Sequence, residues 1–329
     1  MYKYIFGPVP SRRLGMSLGV DLVPKKICSL DCVYCEVGKT TELTLARKEY
    51  INTEKIKEEL ANYFANNANP DYITFSGFGE PTLNTGVAEM IQFIKKINRL
   101  VPIALITNGT TFFDKKVRNA IKNTDLVLPS LDAATENVFQ KINRPPKGLS
   151  IKKYIQGLID FRKEFKGEIW LEIFILPGYN DTINELAELK KAILKIKPDS
   201  VQLNTLDRPG TIHNLRGATR KELHKIIDLW KLDNVEIIAK YPETKNRKSS
   251  RDDVEAAIIE IISRRPCTLN DLTKIMGLQP DELNKHLYIL GKKEKIKTEE
   301  QERGIFYQLR APLSTGCHIQ SSNRRKPGH

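Results

Sequence analysis

Short apolar runs alternate with amphipathic stretches over the first 240 residues. Six runs rich in Ile, Val and Leu have the length of buried strands, and a weaker seventh follows: 18–22, 72–76, 103–107, 126–131, 170–176, 200–205 and 235–239. Between them apolar residues recur at helical spacing, at 53–64, 85–97, 115–122, 136–142, 151–165, 183–196 and 220–232. This alternation indicates parallel βαβ units and predicts an open or partial β/α barrel. In such barrels functional groups collect at the carboxyl ends of the strands.

The pattern changes near residue 241. We interpret residues 241–252, which are polar and basic, as a linker between a core domain, 1–240, and a smaller domain, 253–310. The sequence of the smaller domain predicts helices at 253–263, 268–276 and 281–290, then strands at 296–299 and 305–309. Helices followed by a hairpin in this order indicate a winged helix-turn-helix. The polar segment 311–329 predicts a disordered tail.

Composition is that of a globular protein, with 40% hydrophobic and 28% charged residues among 329. No apolar run reaches the roughly 18 residues of a membrane span, and residues 1–8 lack the apolar stretch of a signal peptide. We therefore expect a cytoplasmic protein with no membrane partner. The net charge of +13 favours an anionic partner such as nucleic acid, and the alternative is a Lys-rich solvated surface.

Three of the five cysteines lie within eight residues, directly after the first predicted strand: Cys28, Cys32 and Cys35. An odd number of cysteines in a cytoplasmic chain argues against a disulfide framework. Thiolates are the usual protein ligands of iron–sulfur clusters, and three of them leave one iron of a [4Fe–4S] cluster open to a ligand. The alternative is zinc, which takes four ligands. The other cysteines, Cys267 and Cys317, lie far away in the sequence.

Small polar groups follow the next three predicted strands. The second strand ends in the segment 77–81, Gly-Phe-Gly-Glu-Pro, where glycine lets backbone approach a ligand closely and Glu80 supplies a hydrogen-bond acceptor. The third strand leads to Asn108, and the fourth to Ser130 and Asp132. The alternative for Asn108 and Asp132 is helix N-capping.

With these motifs the sequence resembles the radical S-adenosylmethionine (SAM) superfamily over roughly residues 7–241. Its signature is CxxxCxxC with an aromatic residue, here Tyr34, before the last cysteine. The resemblance implies a partial (β/α)6 barrel and a [4Fe–4S] cluster on the three cysteines, whose open iron binds the amino and carboxylate groups of SAM. It implies reductive cleavage of SAM to a 5′-deoxyadenosyl radical, with an external one-electron donor such as flavodoxin or ferredoxin.

The resemblance also implies SAM contacts. They come from the GGEP-type motif, in which Phe78 replaces a glycine, and from the next two strand ends: Gly77, Gly79, Glu80, Asn108, Ser130 and Asp132. Segments 176–181 and 204–210 are expected to line the adenine and substrate pocket. Arg12 and Arg13, before the first strand, either bind an anion such as the SAM carboxylate or are solvated.

Segments 130–133, 142–145 and 175–178 are similar to the tRNA wybutosine-synthesis relatives of this superfamily. Those enzymes carry a second cluster on upstream cysteines, and no cysteine precedes Cys28 here, so their reaction is not transferred. The first hypothesis is modification of an RNA, such as a tRNA. The second is a protein, peptide or small-metabolite substrate, with the winged helix as a docking module. The third is a DNA-binding redox sensor that uses the cluster as its switch.

The predicted winged helix bears on these hypotheses. Basic and polar side chains lie on its third helix, at Lys285, His286 and Tyr288. Four lysines then lead into the hairpin: Lys292, Lys293, Lys295 and Lys297. A basic helix and wing suit phosphate contacts. Many winged helices dock proteins instead, so the nucleic-acid and docking interpretations both stand.

Overall fold

A computed structural model describes residues 2–212, 214–238 and 254–310. The predicted linker and tail lie outside these ranges, as does Cys317. No helix among the described residues is long and apolar enough to cross a membrane.

The strands are, in chain order, β1 (Ile5–Ser11), β2 (Gly15–Val20), β3 (Ile27–Cys28), β4 (Glu42–Leu43), β5 (Tyr72–Phe75), β6 (Ile103–Thr107), β7 (Leu126–Pro129), β8 (Glu168–Ile175), β9 (Ser200–Thr205), β10 (Val235–Ile237), β11 (Cys267–Thr268), β12 (Ile296–Gln301) and β13 (Gly304–Leu309). The helices are α1 (Thr53–Asn66), α2 (Val87–Ile97), α3 (Lys115–Ile121), α4 (Glu136–Ile142), α5 (Ile151–Glu164), α6 (Ile183–Ile196), α7 (Arg220–Trp230), α8 (Val254–Arg264), α9 (Leu269–Met276) and α10 (Pro280–Lys292).

The main sheet has the order β1-β2-β5-β6-β7-β8-β9-β10. Strands β2 to β10 of this sheet pair in parallel, which confirms the predicted partial barrel with its six strands and the weaker seventh. Strand β1 pairs antiparallel with β2 and was not predicted. Its sequence contains Gly7, Pro8 and Pro10, which weaken a strand signal and are tolerated because β1 is an edge strand.

Alternate residues of each parallel strand point to opposite faces of the sheet. One face packs with the helices into a single apolar core, which includes Leu18, Ile73, Leu105 and Ile173 together with Leu60 of α1. The alternate positions line the concave face. Parallel strands covered in this way have their carboxyl ends at one edge, and this edge carries the polar segments singled out above.

The C-terminal unit, residues 254–310, has its own apolar core, in which Ile258, Leu272 and Leu287 are buried. Its strands form a sheet of order β11-β13-β12. Helix α9 begins with a capping box of Thr268 and Asp271. The three helices and the hairpin follow in the predicted order, with β11 added, and the winged-helix assignment and the domain boundaries remain predictions.

Arginines join the C-terminal unit to the core. Arg264, at the end of α8, lies 2.6 Å from the carboxylate of Asp21. Arg208, in the segment after β9, donates to Asp271 at 2.9 Å. Arg303, in the turn between β12 and β13, pairs with Asp271 and with Asp207 of the core. The C-terminal unit therefore lies against the carboxyl ends of β2 and β9.

Candidate active site

The three cysteines lie on the cysteine loop, residues 27–43, whose ends pair through β3 and β4. Inside the loop the N–H of Cys35 donates to the carbonyl of Cys32 at 3.2 Å, which forms a turn. The N–H of Val33 donates to the carbonyl of Ile142 at the end of α4, at 3.0 Å. The hydroxyl of Thr211, after β9, donates to the carbonyl of Val33 at 2.7 Å. The loop is thus held by hydrogen bonds from the end of α4 and from the segment after β9.

Burial dominates the electrostatics of the thiols. It raises the pKa of Cys28 to about 12 and the pKa of Cys32 well above its usual range. The sulfur of Cys35 adds to both increases. Burial lowers the pKa of Lys26, but the nearby sulfurs, led by that of Cys35, outweigh it and leave the pKa above its usual value.

The donor set fits an iron–sulfur cluster, because three neighbouring cysteines supply the thiolates that such clusters take. Each sulfur also accepts a hydrogen bond from another side chain: Cys28 from Asn108, Cys32 from Asn143 and Cys35 from Lys26. Within the described ranges, no three His, Cys, Asp or Glu side chains are grouped to hold a single metal ion. In a cluster each thiolate binds a different iron, so its sulfurs lie farther apart than those around one zinc ion.

The segment 76–81, which we call the glycine loop, packs directly on the cysteine loop. The N–H of Glu80 donates to the carbonyl of Ile27 at 3.0 Å. A Cβ at Gly79 would lie 1.8 Å from that same carbonyl oxygen, and one at Gly77 would lie 1.8 Å from Asp21 Oδ1. Gly77 also has a φ of +116°, which disfavours other residues. Both glycines are therefore required by packing inside the protein.

The Glu80 carboxylate makes its hydrogen bonds inside the protein. Its side chain is 1% exposed, and burial raises its pKa while hydrogen bonds oppose the rise. Its carboxylate accepts from the Thr107 hydroxyl at 2.7 Å and from the N–H of Asn108 at 2.7 Å. It also accepts from the N–H of Thr82 at 3.0 Å. The carboxylate ties the glycine loop to the end of β6, so acceptance from a ligand ammonium is not the role that this geometry favours.

The side chains of Asn108 and Asp132 also make their hydrogen bonds inside the protein. The amide of Asn108 donates to Cys28 Sγ at 3.5 Å and to the Ser29 hydroxyl at 2.9 Å. Asp132 is 2% exposed and accepts from the N–H of Phe174 at 3.0 Å and from Asn143 at 2.8 Å. Burial raises the pKa of Asp132 to about 6. Neither residue is the N-cap of a helix. Both support the cysteine loop, and their contact with SAM stays a prediction.

Ser130 fits the expected ligand contact better. It is half-buried at the end of β7, and its hydroxyl has no hydrogen-bond partner among the described residues. Its carbonyl is contacted by the Tyr154 hydroxyl, which also contacts the carbonyl of Asn108. Tyr154 therefore holds the ends of β6 and β7 together, and the free hydroxyl of Ser130 is available to a polar ligand group.

The aromatic residue of the cysteine motif is held by the concave face of the barrel. The Tyr34 ring stacks on Phe174 of β8, with ring centroids 3.8 Å apart and planes 10° apart. Its hydroxyl donates to Asp132. These contacts fix the backbone next to Cys35, so the position of the third thiol depends on the barrel interior.

A cavity of about 890 Å³ lies between the concave face and the C-terminal unit. The core lines it with Arg12, Arg13, Gly77 and Asn204, and the C-terminal unit lines it with Arg264 and neighbours on α8. Arg13 pairs with Glu172 of β8, and Arg12 lies 4.0 Å from Asp207. Both arginines are mostly buried and ion-paired, so the solvated interpretation is wrong. Of the segment 204–210, Asn204 lines the cavity, while Asp207 and Arg208 contact the C-terminal unit.

The contacts of four residues of this region were not predicted from the sequence: Lys26, Asn143, Tyr154 and Arg208. For Lys26 a signal exists, since a lysine two positions before Cys28 places a positive charge near the sulfurs. Asn143 lies in the segment 142–145, which drew attention only through its family likeness. Tyr154 and Arg208 carry no local signal, because their partners lie on other elements.

Because Gly79 packs closely against the cysteine loop, we expect that adding one methyl group there lowers both the stability and the cluster content. In Gly79→Ala the new Cβ meets backbone that must shift, so we expect a loss of about 1–3 kcal/mol in unfolding free energy and a lower cluster content. Gly291→Ala on α10 is the control, because no atom lies within 4 Å of its Cβ. Urea unfolding and iron analysis measure both effects. Equal midpoints for the two variants would contradict this account of the glycine loop.

Comparison with known proteins gives the family. Residues 22–190 match the Radical SAM superfamily. The chain is 32% identical over 311 residues to UPF0026 protein MJ1312 of Methanocaldococcus jannaschii, covering 92% of this chain and 94% of that protein. It is 36% identical over 298 residues to a Brachyspira hyodysenteriae protein named GTPase Obg, covering 90% of this chain. The chain spans only 44% of the length of that second relative.

Among solved structures, a radical SAM methyltransferase from Sphaerobacter thermophilus aligns with a TM-score of 0.54 at 15% identity. The alignment covers 69% of this chain and 67% of that one, and likeness at this identity shows a shared fold. The family match includes the cysteine loop, the glycine loop and the ends of β6 and β7. The chain belongs to the radical SAM superfamily, whose members use a [4Fe–4S] cluster and SAM.

Proposed function

We propose that this radical SAM enzyme holds its cluster on Cys28, Cys32 and Cys35 and acts on a substrate in the cavity between the core and the C-terminal unit. The observation that carries the proposal is the cysteine loop itself. Its three thiols lie on one loop, each accepts a side-chain hydrogen bond, and the glycine loop packs against its first strand. Three thiolates leave one iron open, as SAM binding requires.

When bound, the cluster and SAM supply reductive cleavage to methionine and a 5′-deoxyadenosyl radical. The chain positions and shields this chemistry. Glu80 holds the glycine loop to β6, and backbone of that loop is the candidate partner for the amino group of SAM. The hydroxyl of Ser130 is the candidate side-chain contact. The C-terminal unit lines one side of the cavity and so would limit the access of water to a substrate bound there.

The cavity supports a substrate whose reacting part is small. About 890 Å³ is within the range of small-molecule sites, roughly 300–1,000 Å³. We therefore favour a small metabolite, or a single nucleotide or side chain presented by a larger molecule. Membership of an enzyme superfamily with a SAM site favours an enzyme over the redox sensor.

A second candidate is an RNA substrate such as a tRNA, and the net charge of +13 is the observation that favours it. The C-terminal unit contributes little of that charge, because it contains ten Lys and Arg residues against nine Asp and Glu. Lys293 is also paired with Glu255 at 3.0 Å. RNA bound through charge would therefore meet the core more than the winged-helix-like unit, and the wybutosine-like subgroup remains a prediction.

Two experiments test these proposals. Protein reconstituted anaerobically with iron and sulfide should release 5′-deoxyadenosine when SAM and dithionite are added. A preparation with full cluster content and no such release would contradict the proposed activity. Crosslinking in cells, followed by sequencing of the bound RNA, tests the second candidate. We expect enriched tRNA sequences if RNA is the substrate, and the absence of any enriched RNA would rule that candidate out.

A further inference from the structure

Each of the three cysteine sulfurs accepts a hydrogen bond from a different side chain. Lys26 Nζ lies 2.7 Å from Cys35 Sγ, Asn143 Nδ2 lies 3.4 Å from Cys32 Sγ, and Asn108 Nδ2 lies 3.5 Å from Cys28 Sγ. The donors come from three places: the start of the cysteine loop, the end of α4 and the end of β6. One donor for each sulfur is more than packing alone requires.

Lys26 is held in place at both ends of its side chain. The residue is 4% exposed, and its ammonium also donates to the carbonyl of Gly38 at 2.9 Å. Its main chain exchanges hydrogen bonds with the Thr41 hydroxyl, at 3.0 Å for the N–H and 2.9 Å for the carbonyl. A lysine ammonium buried in this way keeps a positive charge beside one sulfur without much screening by water.

The two asparagine amides are oriented by their other partners. Asn108 Oδ1 accepts from the N–H of Thr110 at 3.0 Å, which leaves its NH₂ group for Cys28. Asn143 Nδ2 also donates to the carboxylate of Asp132 at 2.8 Å, and only the nitrogen of the amide can do so. Both amides therefore present N–H, and not oxygen, to the sulfurs.

Reduction of a cluster adds one negative charge, part of which resides on its sulfur ligands. Hydrogen bonds to those sulfurs and a nearby positive charge favour the reduced state and raise the reduction potential. We propose that Lys26, Asn108 and Asn143 set the reduction potential of this cluster, with the ammonium of Lys26 making the largest contribution. The proposal rests on the proposed function, in which the three cysteines bind the cluster.

These are positioning residues, so the test is a potential and not a turnover rate. Reconstituted full-length protein without SAM is titrated with dithionite, and the reduced cluster is measured by electron paramagnetic resonance. In Lys26→Met, whose side chain is similar in length and uncharged, we expect the ratio of reduced to oxidised cluster at a fixed potential to fall about tenfold. For a one-electron couple this is a shift of ~59 mV.

Two matched variants separate charge from packing. Lys26→Arg keeps the charge, and its midpoint should stay near that of the wild type. Lys39→Met removes the same charge from an exposed position of the cysteine loop and should leave the midpoint unchanged. An unchanged midpoint in a Lys26→Met protein with full cluster content would overturn the proposal, and so would equal shifts in Lys26→Met and Lys39→Met.

The remaining outcomes are also decisive. If Lys26→Met does not bind a cluster, Asn108→Leu and Asn143→Leu take its place, because each removes one neutral donor. We expect smaller decreases of the midpoint in both, and no decrease in either would overturn the proposal. If the wild-type protein itself binds no cluster, the proposed function fails, which the iron content of the wild type shows before any titration.

Discussion

Replacing Cys28, Cys32 or Cys35 with alanine should abolish cluster binding, and with it the release of 5′-deoxyadenosine from SAM. The physical reason is the number of ligands. Three thiolates already leave one iron without a protein ligand, and the loss of another leaves two irons open to solvent. We expect iron content to fall from about four atoms per chain to near zero, measured by iron analysis and by visible absorbance.

Cys267→Ala is the matched control for these variants. Cys267 is fully buried in the C-terminal unit, where its neighbours are Arg208 and the carbonyl of Arg265. Its loss should cost some stability of that unit and leave iron content and SAM cleavage intact. An alanine variant of the cysteine loop that keeps both its iron and its turnover would show that the cluster is held elsewhere.

Arg208→Met should loosen the C-terminal unit from the core. Arg208 is 0% exposed and donates to Asp271 at 2.9 Å and to the carbonyl of Pro266 at 2.5 Å. Its Nε lies 3.5 Å from Glu36, the residue after Cys35. Removing Arg208 leaves the buried Asp271 with Arg303 as its remaining charged partner and leaves a buried carbonyl without this donor, which costs about 1–3 kcal/mol. We expect earlier urea unfolding and faster proteolysis of the C-terminal unit.

Arg216→Met provides the comparison, because Arg216 is exposed and its ion pair with Glu222 is in solvent. It should unfold like the wild type. If Arg208→Met also keeps the wild-type unfolding midpoint and proteolysis rate, the buried contacts do not attach the C-terminal unit.

The same contacts predict a dependence on pH. Burial raises the pKa of Asp271, but Arg208, the N–H of Thr268 and Arg303 outweigh it and leave the pKa below its usual value. A depressed folded pKa stabilises the protein above the unfolded pKa of about 3.9, and that contribution is lost as pH falls through the folded value. Attachment of the C-terminal unit should therefore weaken in acid, and Asp271→Asn should remove this part of the pH dependence in urea unfolding.

Local sequence was sufficient for the repeating elements, and it led to the proposal that three cysteines are the cluster ligands. The parallel strands and their helices follow from periodicity, because a strand buried on both faces needs a continuous apolar run. The antiparallel β1 was missed, because two prolines and a glycine conceal a strand that needs few ladder hydrogen bonds at the sheet edge. The hydrogen bonds of Glu80, Asn108 and Asp132 could not be predicted from the sequence, since they reach distant strands and loops.

The sequence by itself determined that the chain carries an iron–sulfur motif in a β/α barrel, because the spacing of three thiols and the period of apolar residues are local properties. Only the tertiary structure decided what surrounds the thiols. Asn108 reaches Cys28 across 80 residues, and Asn143 reaches Cys32 across 111. The order of the strands brings these pairs together. The docking of the C-terminal unit depends in the same way on buried charges whose partners lie on separate elements.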